Sequence, residues 1–143
     1  MKDNLTITTE QYTRRLLNLC LRGLAGIPKD QSDQHILMKS AAMSIGATGP
    51  LTEKELTNRL QAWLDVVKAG NDLDRVSLRR WLVDHGYLTR DSLGMQYEVA
   101  QPGSHAALFE PAIEQLDTAI LLQAAREEME RKKQAYLQKA KGV

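Results

Sequence analysis

Residues 74–99 read DRVSLRRWLVDHGYLTRDSLGMQYEV, and the pattern changes half-way along. Asp74 is an N-cap residue type, and Leu78, Trp81 and Leu82 follow at helical spacing, which predicts a helix from Arg75 to His85. Gly86 stands where a left-handed C′ residue ends a helix. Val76 and Val83 fall on the far side, so packing on two sides is expected. The outward strip is Ser77, Arg80 and Asp84, flanked by Arg75 and Arg79. From Tyr87 the helical period is lost. Tyr87 to Arg90 reads as a strand, Asp91-Ser92-Leu93-Gly94 as a turn, and Met95 to Val99 as a second, alternating strand. Together they predict a hairpin.

Upstream lies the clearest local signal. Thr52 and Glu55 have the spacing of a capping box, in which each side chain satisfies an orphan N–H at the helix start. Leu56, Leu60, Trp63 and Val67 then follow at i, i+4, i+7 and i+11, a buried stripe. Lys68 to Asp74 is a loop turning at Gly70-Asn71. Before the capping box, Asp30 or Ser32 can cap a helix lined by Leu37, Met38, Ala41 and Ile45. Gly46 stops it, and Ala47-Thr48-Gly49-Pro50 is a turn. Helix, helix, loop, helix, hairpin is the order of a winged helix. The expected fold is mainly α with a small β-hairpin: a winged-helix-like core over residues 28–100, flanked by helices.

The N-terminal extension, residues 1–27, holds one helix. Thr8, Thr9, Glu10 and Gln11 look like its start, Tyr12, Leu16, Leu19 and Cys20 recur along it, and Gly23, Gly26 and Pro28 end it. Gln101-Pro102-Gly103-Ser104 closes the core. In residues 101–143, Pro111 suits the first turn of a long last helix. Ile113, Leu116, Ile120 and Ala124 form one stripe. Leu122, Ala125, Met129 and Tyr136 form a second, which suggests a partner, such as the same helix in a homodimer. Lys132 and Lys139 interrupt that second stripe. Glu127 with Arg131, and Glu128 with Lys132, are i,i+4 pairs in the favourable order.

The chain of 143 residues can bury a real core, and its 43% hydrophobic and 26% charged residues are a soluble globular balance. Met1-Lys2-Asp3-Asn4 is polar and no apolar segment follows, so neither a signal peptide nor a membrane span is expected. Cys20 is the lone cysteine, which excludes an intrachain disulfide and fits a reducing compartment, the cytoplasm. The net charge is only +1, so a nucleic-acid role must rest on local charge.

Locally that charge exists. Residues 75–90 carry four arginines and one aspartate, while residues 28–100 as a whole carry nine basic and ten acidic residues. Arg75, Ser77, Arg79 and Arg80 are therefore candidate contacts to double-stranded DNA, with Arg90 and Gln96 as secondary ones on the hairpin. The competing reading is a fold-stabilising network, with Arg79 or Arg80 paired to Asp84, Asp74 or Glu55. His35, His85 and His105 lack metal-ligand spacing, so no metal or other cofactor is implied. His85 reads as a helix-end residue and Cys20 as a small buried hydrophobe. The acidic residues Asp72, Asp74, Glu127, Glu128 and Glu130 read as loop caps and a solvated face. No phosphate-loop, dinucleotide or nucleophile-elbow motif occurs, so neither catalysis nor a small-molecule ligand is expected.

The run Leu78-Arg79-Arg80-Trp81-Leu82-Val83-Asp84-His85-Gly86-Tyr87-Leu88-Thr89-Arg90-Asp91, with Gly94, Tyr97, Val76 and the upstream Thr52-Glu53-Lys54-Glu55-Leu56-Thr57, resembles the bacterial family DUF2087. The likeness covers roughly Ile27 to Val99. It implies a winged-helix-like fold and a regulatory or DNA-linked role, with no established activity. The turn is neutral at Ser92-Leu93, where the family pattern often carries a basic or polar residue. A protein-interaction module on the same scaffold is the alternative function.

Overall fold

Side-chain caps start every α-helix among the described residues of this chain. In a computed structural model describing residues 5–46, 49–100 and 107–142, Thr8, Asp30, Thr52, Asp74 and Asp117 each accept a backbone N–H three residues on. Each cap contributes about 1 kcal/mol. The elements are β1 (Leu5–Ile7), α1 (Thr9–Cys20), α2 (Gln31–Ile45), β2 (Leu51–Thr52), α3 (Glu53–Val66), α4 (Arg75–Asp84), β3 (Leu88–Arg90), β4 (Gln96–Val99) and β5 (Ala107–Phe109). A 3₁₀ turn (Pro111–Gln115) and α5 (Thr118–Lys141) complete them. The protein is mainly α with a small β part. The turn residues Ala47 and Thr48, the Gln101–Ser104 segment and His105 lie outside the described residues.

The capping box at Thr52 and Glu55 is present in both directions. Gly46 and Gly86 end α2 and α4 in the left-handed region, at φ 64° and 81°. That conformation is open to glycine at little cost and explains why both helices stop there. Two strand pairings exceed the sequence expectation. β2 joins the hairpin, giving an antiparallel sheet in the order β2-β4-β3, with Leu51 opposite Tyr97 and Leu88 opposite Val99. β1 pairs in parallel with β5, so Leu5 to Ile7 lie beside Ala107 to Phe109.

One apolar cluster runs from Ile7 to Leu122 and draws on all three segments of the chain. α2 lies at its centre, with α1 against one flank and α3 against another. Its burial therefore extends past the expected Leu37–Met38–Ala41–Ile45 side to Ile36 and Ala42, and to the polar Asp33, His35 and Ser40. The buried Asp33 carboxylate takes two hydrogen bonds from Arg15, at 2.9 and 2.7 Å. Trp63 donates its indole N–H to Ser40 Oγ at 2.9 Å, and Ser40 bonds Thr118 in turn. This polar chain ties α3 to α2 and α2 to the foot of α5.

Three expectations need correction. Pro111 opens a 3₁₀ turn, not the last helix. The backbone is extended at Leu116 and Asp117, and α5 starts afresh on the Asp117 cap. Ile113, Leu116, Ile120 and Ala124 therefore share no helix face. Ile113 is buried while Ile120 is 66% exposed. Val76 is also exposed, so α4 packs on two sides only as far as half-buried Val83. Finally, Arg131 pairs with Glu128 at i,i+3, and Glu127 takes the side-chain amide of Gln123 instead.

α5 docks through its first turns only, against α1 and α3. Every described residue from Glu127 onward is exposed. Among the described residues, no helix is long and apolar enough to cross a membrane. The docked part is fastened by Arg126. Its guanidinium donates to Val66 O at 3.1 Å and to Cys20 O at 3.4 Å, the carbonyls at the ends of α3 and α1. A cation is favoured at a helix C-terminus, and here one serves two. Arg126→Ala should lower the stability of the chain by about 2 kcal/mol, read as an earlier urea midpoint. An unchanged midpoint would mean the clamp contributes nothing.

Candidate nucleic-acid interface

α4 turns one face into the core and the other to solvent. Leu78, Trp81 and Leu82 are buried, while Arg75, Val76, Ser77, Arg80 and Asp84 are exposed. Asp74 fixes the first turn by accepting the N–H of Ser77 at 2.7 Å. That bond, made to the ionised carboxylate, holds the Asp74 pKa below its ordinary value. Arg79 and Arg80 are neighbours in sequence but about 100° apart around the helix, and they meet different fates.

Arg79 is drawn into the fold. Its guanidinium donates to Glu53 Oε1 at 2.9 Å, reaches Thr57 Oγ1 at 3.4 Å, and lies 5.6 Å from the centre of the Tyr97 ring. Only 18% of its side chain is exposed. The partner is Glu53, in place of the expected Asp84, Asp74 or Glu55. The reason is local: Glu55 is folded back onto the Thr52 N–H and Asp74 onto its own cap.

Arg80 and Arg90 meet across a depression of about 270 Å³ between α4 and the hairpin, with Val76, Asp84, Tyr97 and the edge of Arg79 around it. The turn that carries Arg90 is well fastened. Asp91 accepts the N–H of Met95 at 2.8 Å and of Gln96 at 3.3 Å, and Gly94 has φ 69°. A β-carbon at Gly94 would sit 3.8 Å from Arg90 Cδ, so the turn is folded close over the arginine stem. Gln96 lines an adjacent recess with Thr89, Arg90 and Glu98. Arg75 and Ser77 lie at the opening turn of α4. Arg75, Arg80 and Arg90 form no ion pair among the described residues. The sequence reading overlooked Leu93, 79% exposed, and Met95, 66% exposed, at the hairpin tip.

Residues 23–99 match the sequence profile of DUF2087, described as an uncharacterized protein conserved in bacteria. The chain belongs to the DUF2087 family. The matched stretch takes in α2 to β4, so the arginine-lined depression lies wholly inside the DUF2087 unit. No curated protein and no solved structure matches the chain.

The remaining candidate groups of the DUF2087 unit and its flanks are structural in their surroundings. His35 is buried with Nδ1 at 2.7 Å from the Tyr87 hydroxyl, and His85, the C-cap residue of α4, sets its ring edge-on to His35 and Trp81. Among the described residues, no group of three His, Cys, Asp or Glu could hold a metal ion. The second stripe of the last helix is split. Leu122 is fully buried in the chain's own core and cannot meet a partner, and Ala125 is half-buried, whereas Met129 and Tyr136 are exposed.

Cys20 is buried, and burial pushes its thiol from 9.0 up to about 12. Burial likewise raises Tyr12 from 10.0 to about 12, and it raises Tyr87 further. All three groups lose their protons more easily in the unfolded chain. These groups therefore leave stability unchanged below the ordinary thiol value and lower it as pH rises through the interval up to the folded values. From about neutral pH the urea midpoint should hold steady to about pH 9 and drop steadily above it, with Cys20→Ala delaying the onset to about pH 10. A midpoint flat to pH of about 11 would contradict this assignment of buried groups.

Proposed function

We propose that this chain is a cytoplasmic regulatory protein whose DUF2087 unit recognises double-stranded DNA as a winged helix. α4 would enter the major groove and the β3–β4 hairpin would lie over the backbone as the wing. The winged-helix reading is supported by the run α2-β2-α3-α4-β3-β4, by the sheet order β2-β4-β3, and by the packing of β3 against α4. The observation that carries the DNA reading is the set of exposed arginines on those two elements, Arg75, Arg80 and Arg90, that form no ion pair among the described residues. Ser77 and Gln96 supply neutral hydrogen-bonding groups beside them. Arg79 positions α4 against α3 and makes no contact of its own.

Three phosphate contacts give a salt slope of about −2.7, so affinity for random-sequence duplex should fall roughly 40-fold between about 50 and 200 mM salt. Fluorescence anisotropy of a labelled duplex measures this directly. No binding at the lower salt would remove DNA as the target.

A second reading is a protein-interaction module on the same scaffold. It is favoured by Val76, Leu93 and Met95, which expose apolar surface around the arginines. It gains ground if the duplex does not bind.

A further inference from the structure

The foot of α5 closes a cleft of about 370 Å³ against α2 and α3. Its base is the polar chain in which Ser40 joins Trp63 to Thr118, so the cleft rests on fixed groups. Met43, Trp63, Val66 and Leu116 give it apolar walls. Its charges are divided by element. Arg59 comes from α3, while Glu114 and Asp117 come from the 3₁₀ turn and the cap of α5.

We propose that this cleft binds a small zwitterion, an α-amino acid with an apolar side chain. Its carboxylate meets Arg59, its ammonium meets Glu114 and Asp117, and its side chain lies on Met43, Val66 and Leu116.

Size and charge both select this class. Ligand sites for small molecules span roughly 300–1,000 Å³, so a cleft at the lower end takes one compact metabolite and not a nucleotide cofactor. A simple carboxylic acid would engage only the Arg59 side of the cleft, and a simple amine only the Glu114 and Asp117 side, whereas a zwitterion meets both. Each charged group keeps bonding capacity. Arg59 spends Nη1 on Ile45 O and lies near Glu55, yet a guanidinium carries five N–H donors. Glu114 pairs with Lys39, and Asp117 accepts the N–H of Ile120 at 3.1 Å, but a carboxylate has about four acceptor positions. An occupant would bridge α3 and the foot of α5 and so hold the tail helix in place. The proposal stands apart from the DNA reading, because binding in the cleft needs no residue of the α4 surface.

Isothermal titration of the full chain with L-leucine, L-methionine and L-phenylalanine tests it. Two one-charge analogues, 4-methylpentanoate and 3-methylbutylamine, are titrated alongside. At least one amino acid should bind at micromolar to millimolar concentration, and the analogues should bind about tenfold more weakly or worse. Arg59→Gln and Glu114→Gln should each weaken binding by about tenfold or more, with the helical circular dichroism signal retained. Ala62→Tyr, which fills the cleft and leaves every charge in place, should abolish it. No heat with any of the three amino acids overturns the proposal. So does equal binding of an analogue, or unchanged binding by Ala62→Tyr.

Discussion

Trp63→Ala should destabilise the chain by about 3–5 kcal/mol, a large share of the roughly 5–15 kcal/mol that a domain of this size has in all. Trp63 is 2% exposed, in the stripe it shares with Leu56 and Leu60. Truncation removes the largest fully buried side chain and opens a cavity between α2 and α3. It also deletes the N–H that Ser40 accepts, which loosens the bond by which Ser40 holds Thr118. Trp63→Phe keeps most of the volume and loses the hydrogen bond, so it should cost closer to 1–2 kcal/mol, an approximate figure. Val76→Ala, at an exposed position, should be near neutral, within about 0.5 kcal/mol. Urea unfolding followed by far-ultraviolet circular dichroism ranks the three. Equal midpoints for Trp63→Ala and Val76→Ala would refute the packing of α3 on α2.

The contrast between Trp63 and Val76 also marks where sequence reading succeeds. α3 is legible because its cap and its stripe are local: Thr52, Glu55 and the apolar residues after them lie within one helix. The start and end of α4 are legible for the same reason, in Asp74 and Gly86. β2 is not, since two residues carry no period and Leu51–Thr52 is a strand only because β4 lies beside it. The pairing of β1 with β5 joins segments about a hundred residues apart, and the bond from Thr9 N to Glu110 that reinforces it has no local signature. Pro111 misleads about the start of α5, because proline suits the opening of a 3₁₀ turn as well as that of an α-helix. The stronger signal was Asp117, an N-cap residue type placed just before the apolar run Ala119 to Leu122. The cleft at the foot of α5 was out of reach, because Arg59 stands more than fifty residues from Glu114 and Asp117.

The candidate interface shows the same division between local and tertiary information. Four arginines between residues 75 and 90 are visible in the sequence, but which of them are available is decided by α3 and the hairpin. Glu53 and Tyr97 take Arg79 out of the exposed set, while Arg80 and Arg90, ten residues apart, are brought to the rim of one depression.

That division makes the paired substitution Arg80→Glu and Arg90→Glu the most informative one on the surface. It turns the local net charge over residues 75–90 from +3 to −1. Two phosphate contacts are lost, so duplex affinity at low salt should fall by roughly 100-fold and the salt slope should shrink by about 2. Both side chains are exposed and form no ion pair among the described residues, so the urea midpoint should stay within about 0.5 kcal/mol of the parent chain. Arg79→Ala should do the reverse. It removes an ion pair with Glu53 and a cation–π contact with Tyr97, costing about 1–2 kcal/mol of stability, and it leaves the salt slope unchanged. Measuring affinity and midpoint on both variants separates contact from scaffold. If Arg79→Ala reduces the slope and the double charge reversal does not, the interface lies on the α3 side of α4, and the groove between α4 and the hairpin is not where the backbone runs.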